Sequence, residues 1–397
     1  MTAIISSLVT AGLVFAFLFS TTIGDFIKNH SISQNEEIPT ASKALLDEVE
    51  AYLDAFYMGD IDENKLYHYA AKGMAAATGD DYTKYYTPDE FRQYMETTTG
   101  EYVGVGIVLS ENVDTNEIVV VLPYEGAPGE KAGVLPGDVI LAVDGVVCTG
   151  DMLDETAERM RGKGIESAAG TTVTLTLKRE GKAPFDVVLV REAVHLKTVD
   201  FKMLENDIGY MRIISFDSDT DVEVKDALQA LSTSGMNKLV LDLRDNGGGD
   251  FNASINTAGK FLDENSLVVY TQNKNGERKN FFAEGKMSDC EIIVLINGNS
   301  ASASEVLTGA LLGNNRLKNI VGTKSFGKGI TQNIYQLKNG GGMSITVDKY
   351  YTPTGECIHE KGIMPDTIVE LDEDVISTML AYEKDLQLQK AVELFKQ

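Results

Sequence analysis

Cysteine is nearly absent from this 397-residue chain. The three present, Cys148, Cys290 and Cys357, are widely spaced and odd in number, which excludes a complete disulfide framework and a CxxC metal knuckle. They read as small apolar residues of the interior. Histidine is equally scarce: His30, His68, His195 and His359 are scattered, no HExxH motif occurs, and no zinc mechanism has ligands to draw on. Basic side chains are in deficit, 35 Lys and Arg against 60 Asp and Glu. The net charge of -25 repels phosphate backbones and argues against a nucleic acid partner. Proline is rare, at 8 beside 37 Gly, and 43% of residues are hydrophobic, so disorder and collagen-like structure are excluded and two or three packed domains are expected.

Charged side chains are missing altogether before Asp25. As a helix, Ala3 to Gly24 would extend about 33 Å, enough to cross a hydrocarbon core of about 30 Å. The run lacks an Ala-x-Ala cleavage signal, so residues 1–25 read as an uncleaved membrane anchor, with a removed signal peptide as the alternative. No Lys or Arg precedes it to fix an orientation.

Ser31 to Pro39 is polar and aperiodic, a linker. Leu45, Val49, Leu53 and Phe56 then form the apolar stripe of a helix ending near Gly59. Further helices are expected from about Lys65 to Ala77 and after Pro88. Residues 26–97 thus form a linker and a small helical region, which needs the rest of the chain, or a second subunit in a homodimer, to cover it. From Tyr102 the pattern changes to short β-branched runs: Val103 to Leu109, Glu117 to Val121, Val139 to Val143, Thr171 to Leu177 and Phe185 to Leu189, with one helix near Met152 to Met160. Residues 98–195 read as a half-open barrel or sandwich. Beyond Asp207 strands alternate with helices, which predicts an α/β layer domain over 196–370. Residues 371–397 close the chain with a helix. The whole is expected to be an α+β multidomain protein.

The chemistry concentrates in three places. Asn299-Ser300-Ala301-Ser302-Ala303-Ser304-Glu305 follows the apolar run Ile292 to Ile296 and opens a helix. A strand, a turn of small residues and a helix start can present a serine beside unpaired N–H groups that stabilise an oxyanion; equally, Ser302 or Ser304 can be a plain helix cap. Lys328, between Gly327 and Gly329 and beside Phe326 and Ile330, can act as a base if burial keeps it neutral, or it can be a solvated loop lysine. Gln332 lies four residues further on. Leu239 to Gly249 is a strand entering a triple-glycine turn, either an oxyanion donor or a tight turn needing positive φ. It lacks the Lys-Ser/Thr of a P-loop, which argues against an ATPase.

Taken together these segments resemble the carboxyl-terminal processing peptidases, PDZ-containing serine proteases of the tail-specific type. The resemblance covers nearly everything after the apolar run. It is carried by Asp81-Tyr82-Thr83-Lys84-Tyr85-Tyr86-Thr87-Pro88, Tyr102-Val103-Gly104-Val105-Gly106-Ile107, Ala127 to Ile140, Leu243 to Gly249, Ser300 to Glu305, Phe326-Gly327-Lys328-Gly329 and Tyr351 to Gly355.

The resemblance implies a PDZ domain over 98–195 and a crotonase/ClpP-like core over 196–370. It implies Ser302 as nucleophile, Lys328 as general base, Gln332 as orienting residue, and the N–H groups of Ala303 and Gly249 as oxyanion donors. Gly104, Val105, Gly106 and Ile107 would capture a substrate's terminal carboxylate while its chain adds a strand to the sheet. The implied activity is endopeptidic cleavage near protein C-termini through an acyl-enzyme, without cofactor, metal or nucleotide, by a single-pass cell-membrane protein with an extracytoplasmic catalytic domain. An inactive PDZ scaffold or adaptor on a peptidase fold is the alternative. Two departures from the family pattern stand out: the Ser302 to Lys328 interval is one residue longer than usual, within Asn314 to Asn319, and Gly164 to Ala169 is an insertion that leaves the role of Arg161 open.

Overall fold

The computed structural model describes residues 43–99, 101–162, 169–205, 207–371 and 384–396. The expected anchor at 1–25, the linker after it, nearly all of the Gly164 to Ala169 insertion and the start of the closing helix lie outside them. Among the described residues no helix is long and apolar enough to cross a membrane. The chain forms two units, Met1–Met74 and Ala75–Gln397.

In the first unit lie α1 (Lys43–Phe56) and most of α2 (Glu63–Ala76). The expected stripe of α1 is present in sequence, yet none of its residues is buried.

The second unit begins with β1 (Lys84–Tyr86) and α3 (Pro88–Thr99). Next comes an antiparallel sheet ordered β3-β4-β5-β7-β8, made of Ile107–Asn112, Glu117–Pro123, Val139–Val143, Thr172–Lys178 and Phe185–Val190. The two-residue β6 (Val146–Val147) pairs with β5, α4 is the single turn Pro128–Lys131, and α5 is Leu153–Arg161. Ile118, Val120, Ile140, Leu175, Leu177 and Leu189 pack as this body's own core. The single strand expected over Val103 to Leu109 is in fact two. β2 (Glu101–Gly104) pairs with β9 (Glu192–His195), whereas β3 pairs with β4. The chain turns between them at Gly106, whose φ is +63° and where a Cβ would stand 2.2 Å from that of Ala127.

The larger body is built on a sheet ordered β10-β11-β12-β15-β16-β19: Val199–Met203, Ile208–Ile213, Lys238–Asp242, Glu291–Ile296, Leu317–Gly322 and Thr367–Ile368. All neighbours are parallel except β10 with β11. Both faces are covered, which explains the unbroken apolar runs of β12 and β15. Alternate residues serve the two sides. Leu239, Leu241, Ile292 and Val294 face a core built with α6 (Thr220–Thr233), α7 (Phe251–Gly259) and α8 (Ala303–Gly313). Val240, Ile293 and Leu295 meet Leu388, Ala391 and Val392 of α9 (Leu386–Leu394).

A second, antiparallel sheet was not apparent from the alternation of strands and helices. It joins β1, β18 (Gly342–Tyr351), β13 (Leu267–Asn273) and β14 (Arg278–Phe282), with β17 (Ile330–Gln336) also on β18. Its strands are largely polar and half-exposed, as in β17 (Ile-Thr-Gln-Asn-Ile-Tyr-Gln), so they carry little apolar period to read. Cys148 and Cys290 are buried as expected, but Cys357 is only half-buried.

Candidate active site

Because β12 and β15 are parallel neighbours, their C-terminal ends bring the glycine loop and the serine turn side by side, the edge where open α/β sheets bind ligands. Hydrogen bonds lock the two together. Ala301 N–H donates to the Asn246 carbonyl at 3.0 Å. Asp245 and Asn297 exchange two bonds, of 3.0 and 2.8 Å. The hydroxyl of Ser300 donates to the Leu243 carbonyl at 2.8 Å, and that of Ser304 to the Asn246 carbonyl at 2.9 Å. Both serines are fully buried, whereas Ser302 is not. The three serines of the run therefore separate into two buried structural ties and one half-buried residue at the N-cap of α8. Ser302 also sits at φ +53°, ψ -112°, outside the allowed regions for a side-chain-bearing residue and thus a strained position.

The loop opposite must be glycine. A Cβ on Gly248 (φ +104°) would lie 2.9 Å from the Ser302 Cβ and 3.0 Å from the Ala303 nitrogen. On Gly249 (φ +140°) it would lie 1.9 Å from the Phe216 carbonyl oxygen, with which this residue forms a parallel bridge. Gly248 N–H donates to Asn246 Oδ1 at 2.9 Å. No hydrogen bond from the N–H of Ala303 or Gly249 is present among the described residues. Ala303 opens α8, where backbone donors lack intrahelical partners.

The lysine loop is fastened to the serine turn by one carboxylate. Glu305, 1% exposed, accepts four donors: the N–H of Ser302 at 2.9 Å, of Lys328 at 2.9 Å and of Gly327 at 2.8 Å, and the Ser325 hydroxyl at 2.6 Å. The Tyr350 hydroxyl adds a second link, lying 3.1 Å from the Ser302 carbonyl and 2.5 Å from that of Lys328. Lys328 Nζ stands 4.7 Å from the centroid of the Tyr82 ring. Burial holds its pKa below the ordinary lysine value, the positive charge of Lys84 adds to that effect, and Asp80 opposes it.

The expected packing of Phe326 against Lys328 needs correction. Phe326 is 57% exposed and does not bury the lysine; Ile330 is buried, and the Tyr82 ring lies beside the amine. Gln332 donates to Thr346 Oγ1 at 3.4 Å, and no hydrogen bond joins it to Lys328 among the described residues. His195 is paired with Glu223 through Nε2 at 2.9 Å while its buried Nδ1 makes no hydrogen bond among the described residues, and His359 accepts the Gly329 N–H at 3.4 Å. In the smaller body, Gly104 to Ile107 forms a tight loop whose Val105 and Gly106 carbonyls accept the N–H groups of Gly129 and Tyr124 at 2.8 Å each. The ring of Tyr102 covers Gly104, and Arg161 stacks on that ring at 5.7 Å while pairing with Glu96 at 3.5 Å.

Glu305, Tyr350 and Tyr82 were not anticipated in these roles. A signal for Glu305 was available, since Ser302 and Glu305 fit the Ser-x-x-Glu capping pattern. Also missed was Arg244, 1% exposed, held by Asp242 at 2.9 Å and by Asp385 at 2.8 Å.

Residues 207–369 match the model of peptidase family S41, and residues 119–179 that of a PDZ domain. A carboxyl-terminal-processing protease of Picosynechococcus sp. is 39% identical over 335 residues, covering 83% of this chain and 79% of that protein. Another, from Synechocystis sp., is 38% identical over 332 residues, covering 82% and 76%. A solved structure from Bacteroides fragilis assigned to the S41 proteases shares the fold, with a TM-score of 0.55 at 17% identity over 92% of this chain and 99% of that one.

Proposed function

Given that the chain belongs to peptidase family S41, with the carboxyl-terminal-processing proteases, and is a serine endopeptidase carrying a PDZ domain, we propose that Ser302 is its nucleophile and Lys328 its general base. The observation that carries this assignment is the Glu305 carboxylate, which holds the backbone N–H groups of both residues and so places the two segments in one site. A neutral Lys328 amine takes the Ser302 proton as the hydroxyl attacks the scissile carbonyl, and the oxyanion forms against the N–H groups of Ala303 and Gly249. The resulting ammonium returns its proton to the leaving amine, and water then releases the acyl group. Gln332 turns from Thr346 to orient the amine once substrate is bound, as catalytic hydrogen bonds often tighten only in the complex.

The edge position of β3, directly after the Gly104 to Ile107 loop, supports capture of a C-terminal peptide as an added strand with its carboxylate in that loop. Apolar residues 3–24 support tethering to a membrane. Labelling by a serine-reactive fluorophosphonate, compared between the wild type and the Ser302→Ala and Lys328→Arg variants, tests the assignment. Loss in both is expected, because a guanidinium cannot give up a proton in this range; an unlabelled wild type would favour a scaffold instead. The labelling rate should rise as pH passes upward through the lowered pKa of Lys328.

A further inference from the structure

Asp80 to Tyr86 belongs in sequence to the helical region, yet it is built into the peptidase body. β1 pairs with β18 over three residues, from Lys84 with Ser344 to Tyr86 with Gly342. Ser344 Oγ donates to the Tyr82 carbonyl at 3.0 Å, and Thr346 N–H to Thr83 Oγ1 at 3.2 Å. Asp80 is fixed in turn by Thr83 Oγ1 at 2.6 Å, by the Tyr82 N–H at 3.1 Å and by the Thr346 hydroxyl. The result is a rigid wall that puts an aromatic face under Lys328 Nζ.

We propose that this wall is part of the proteolytic centre, with Tyr82 seating the Lys328 amine while Lys84 and Asp80 exert opposed charges on it. The inference rests on Lys328 being the base proposed above. Around the lysine, Glu305 is engaged by four backbone and hydroxyl donors, Tyr350 reaches the carbonyls of Ser302 and Lys328, and His359 meets the Gly329 N–H. Lys84 and Asp80 are the charged side chains that act on the amine itself. An aromatic face attracts an ammonium, and a neighbouring cation disfavours it. Burial is the main influence favouring the neutral form that proton acceptance requires and Lys84 adds to it, whereas Tyr82 and Asp80 favour the ammonium, so the segment holds the amine in place between opposed charges.

The test is the pH dependence of kcat/KM on a peptide substrate and of fluorophosphonate labelling, measured with the full chain. Lys84→Gln should move the ascending limb to higher pH, and because Lys84 is exposed the displacement should shrink in high salt. Asp80→Asn should move it to lower pH. Tyr82→Phe keeps the ring and should stay within about twofold of the wild type, whereas Tyr82→Leu should lower kcat on the order of tenfold or more with KM little changed. Limbs that do not move, or that move in the same direction, would overturn the proposal while leaving an inactive Lys328→Arg consistent with the base assignment. Activity in Lys328→Arg would instead remove the base assignment and this inference with it. Should Asp80→Asn fail to fold, exposed Lys84 decides the matter alone: an unshifted limb in Lys84→Gln rejects the inference.

Discussion

Arg244 and Asp385, 141 residues apart, form a buried two-pronged pair, with Nη1 to Oδ1 at 2.9 Å and Nη2 to Oδ2 at 2.8 Å. Arg244 begins the loop that runs to Gly249, and Asp385 caps α9 by accepting the Leu388 N–H at 2.9 Å. The pair therefore joins the closing helix to the loop that faces the Ser302 turn. Asp242 still balances the Arg244 charge when Asp385 is removed, so what is lost is charge-assisted hydrogen bonding, at about 1.5–3 kcal/mol. Asp385→Ala should lose about that much in urea unfolding and lower kcat as well. A kcat at the wild-type level in the folded variant would show that the loop does not depend on the helix.

The serine run gives a sharper comparison. Ser302→Ala should be inactive yet close to wild-type stability, since its side chain is only half-buried. Ser300→Ala and Ser304→Ala each remove one buried hydrogen bond from a carbonyl that keeps a backbone donor, at about 0.5–1.5 kcal/mol, and should retain measurable activity. Peptide cleavage and thermal melting of the three variants separate the roles. A dead but well-folded Ser304→Ala would assign the nucleophile to the wrong serine.

The parallel sheet and the serine turn were legible because fully buried strands write unbroken apolar runs, and small residues before a helix mark a sharp turn. What escaped reading depends on distance in the chain. Glu305 is named by its cap pattern, but its grip on Gly327 and Lys328 comes from a loop more than 20 residues on, through a fold no local period encodes. The Tyr82 segment escaped for the same reason: its partners Ser344 and Thr346 lie in a polar strand more than 260 residues away.

His195 couples stability to pH where β9 meets α6. Burial disfavours its charged form, but the Glu223 hydrogen bond and the charges of Asp217, Glu223 and Asp219 outweigh that and raise its pKa above 6.5. A raised pKa in the folded state means stabilisation that is complete below about pH 6.5 and lost as pH climbs through the folded value. Melting temperature should fall across that window in the wild type, and the slope should flatten in His195→Gln. An unchanged slope would assign the dependence to other groups.

Glu305→Gln tests whether the joint between serine and lysine governs catalysis or only stability. The amide keeps the size of the carboxylate but offers one acceptor oxygen, and its NH2 would face donors that the second oxygen now satisfies. Oε2 serves Ser302 and Lys328 while Oε1 serves Ser325 and Gly327, so either orientation leaves two donors unpaired. Each buried loss costs about 1–3 kcal/mol, and the Ser302 turn, already strained at φ +53°, has the most to gain by relaxing. The expected result is a folded protein of lower melting temperature. Its kcat should fall on the order of a hundredfold, the scale of a misplaced reacting group, with KM nearly unchanged because Glu305 is buried. Glu305→Asp, which keeps the charge but shortens the reach, should recover stability more than rate. Equal loss of kcat and KM affinity, or full activity in the folded Glu305→Gln, would show that the alignment of Ser302 and Lys328 is set elsewhere.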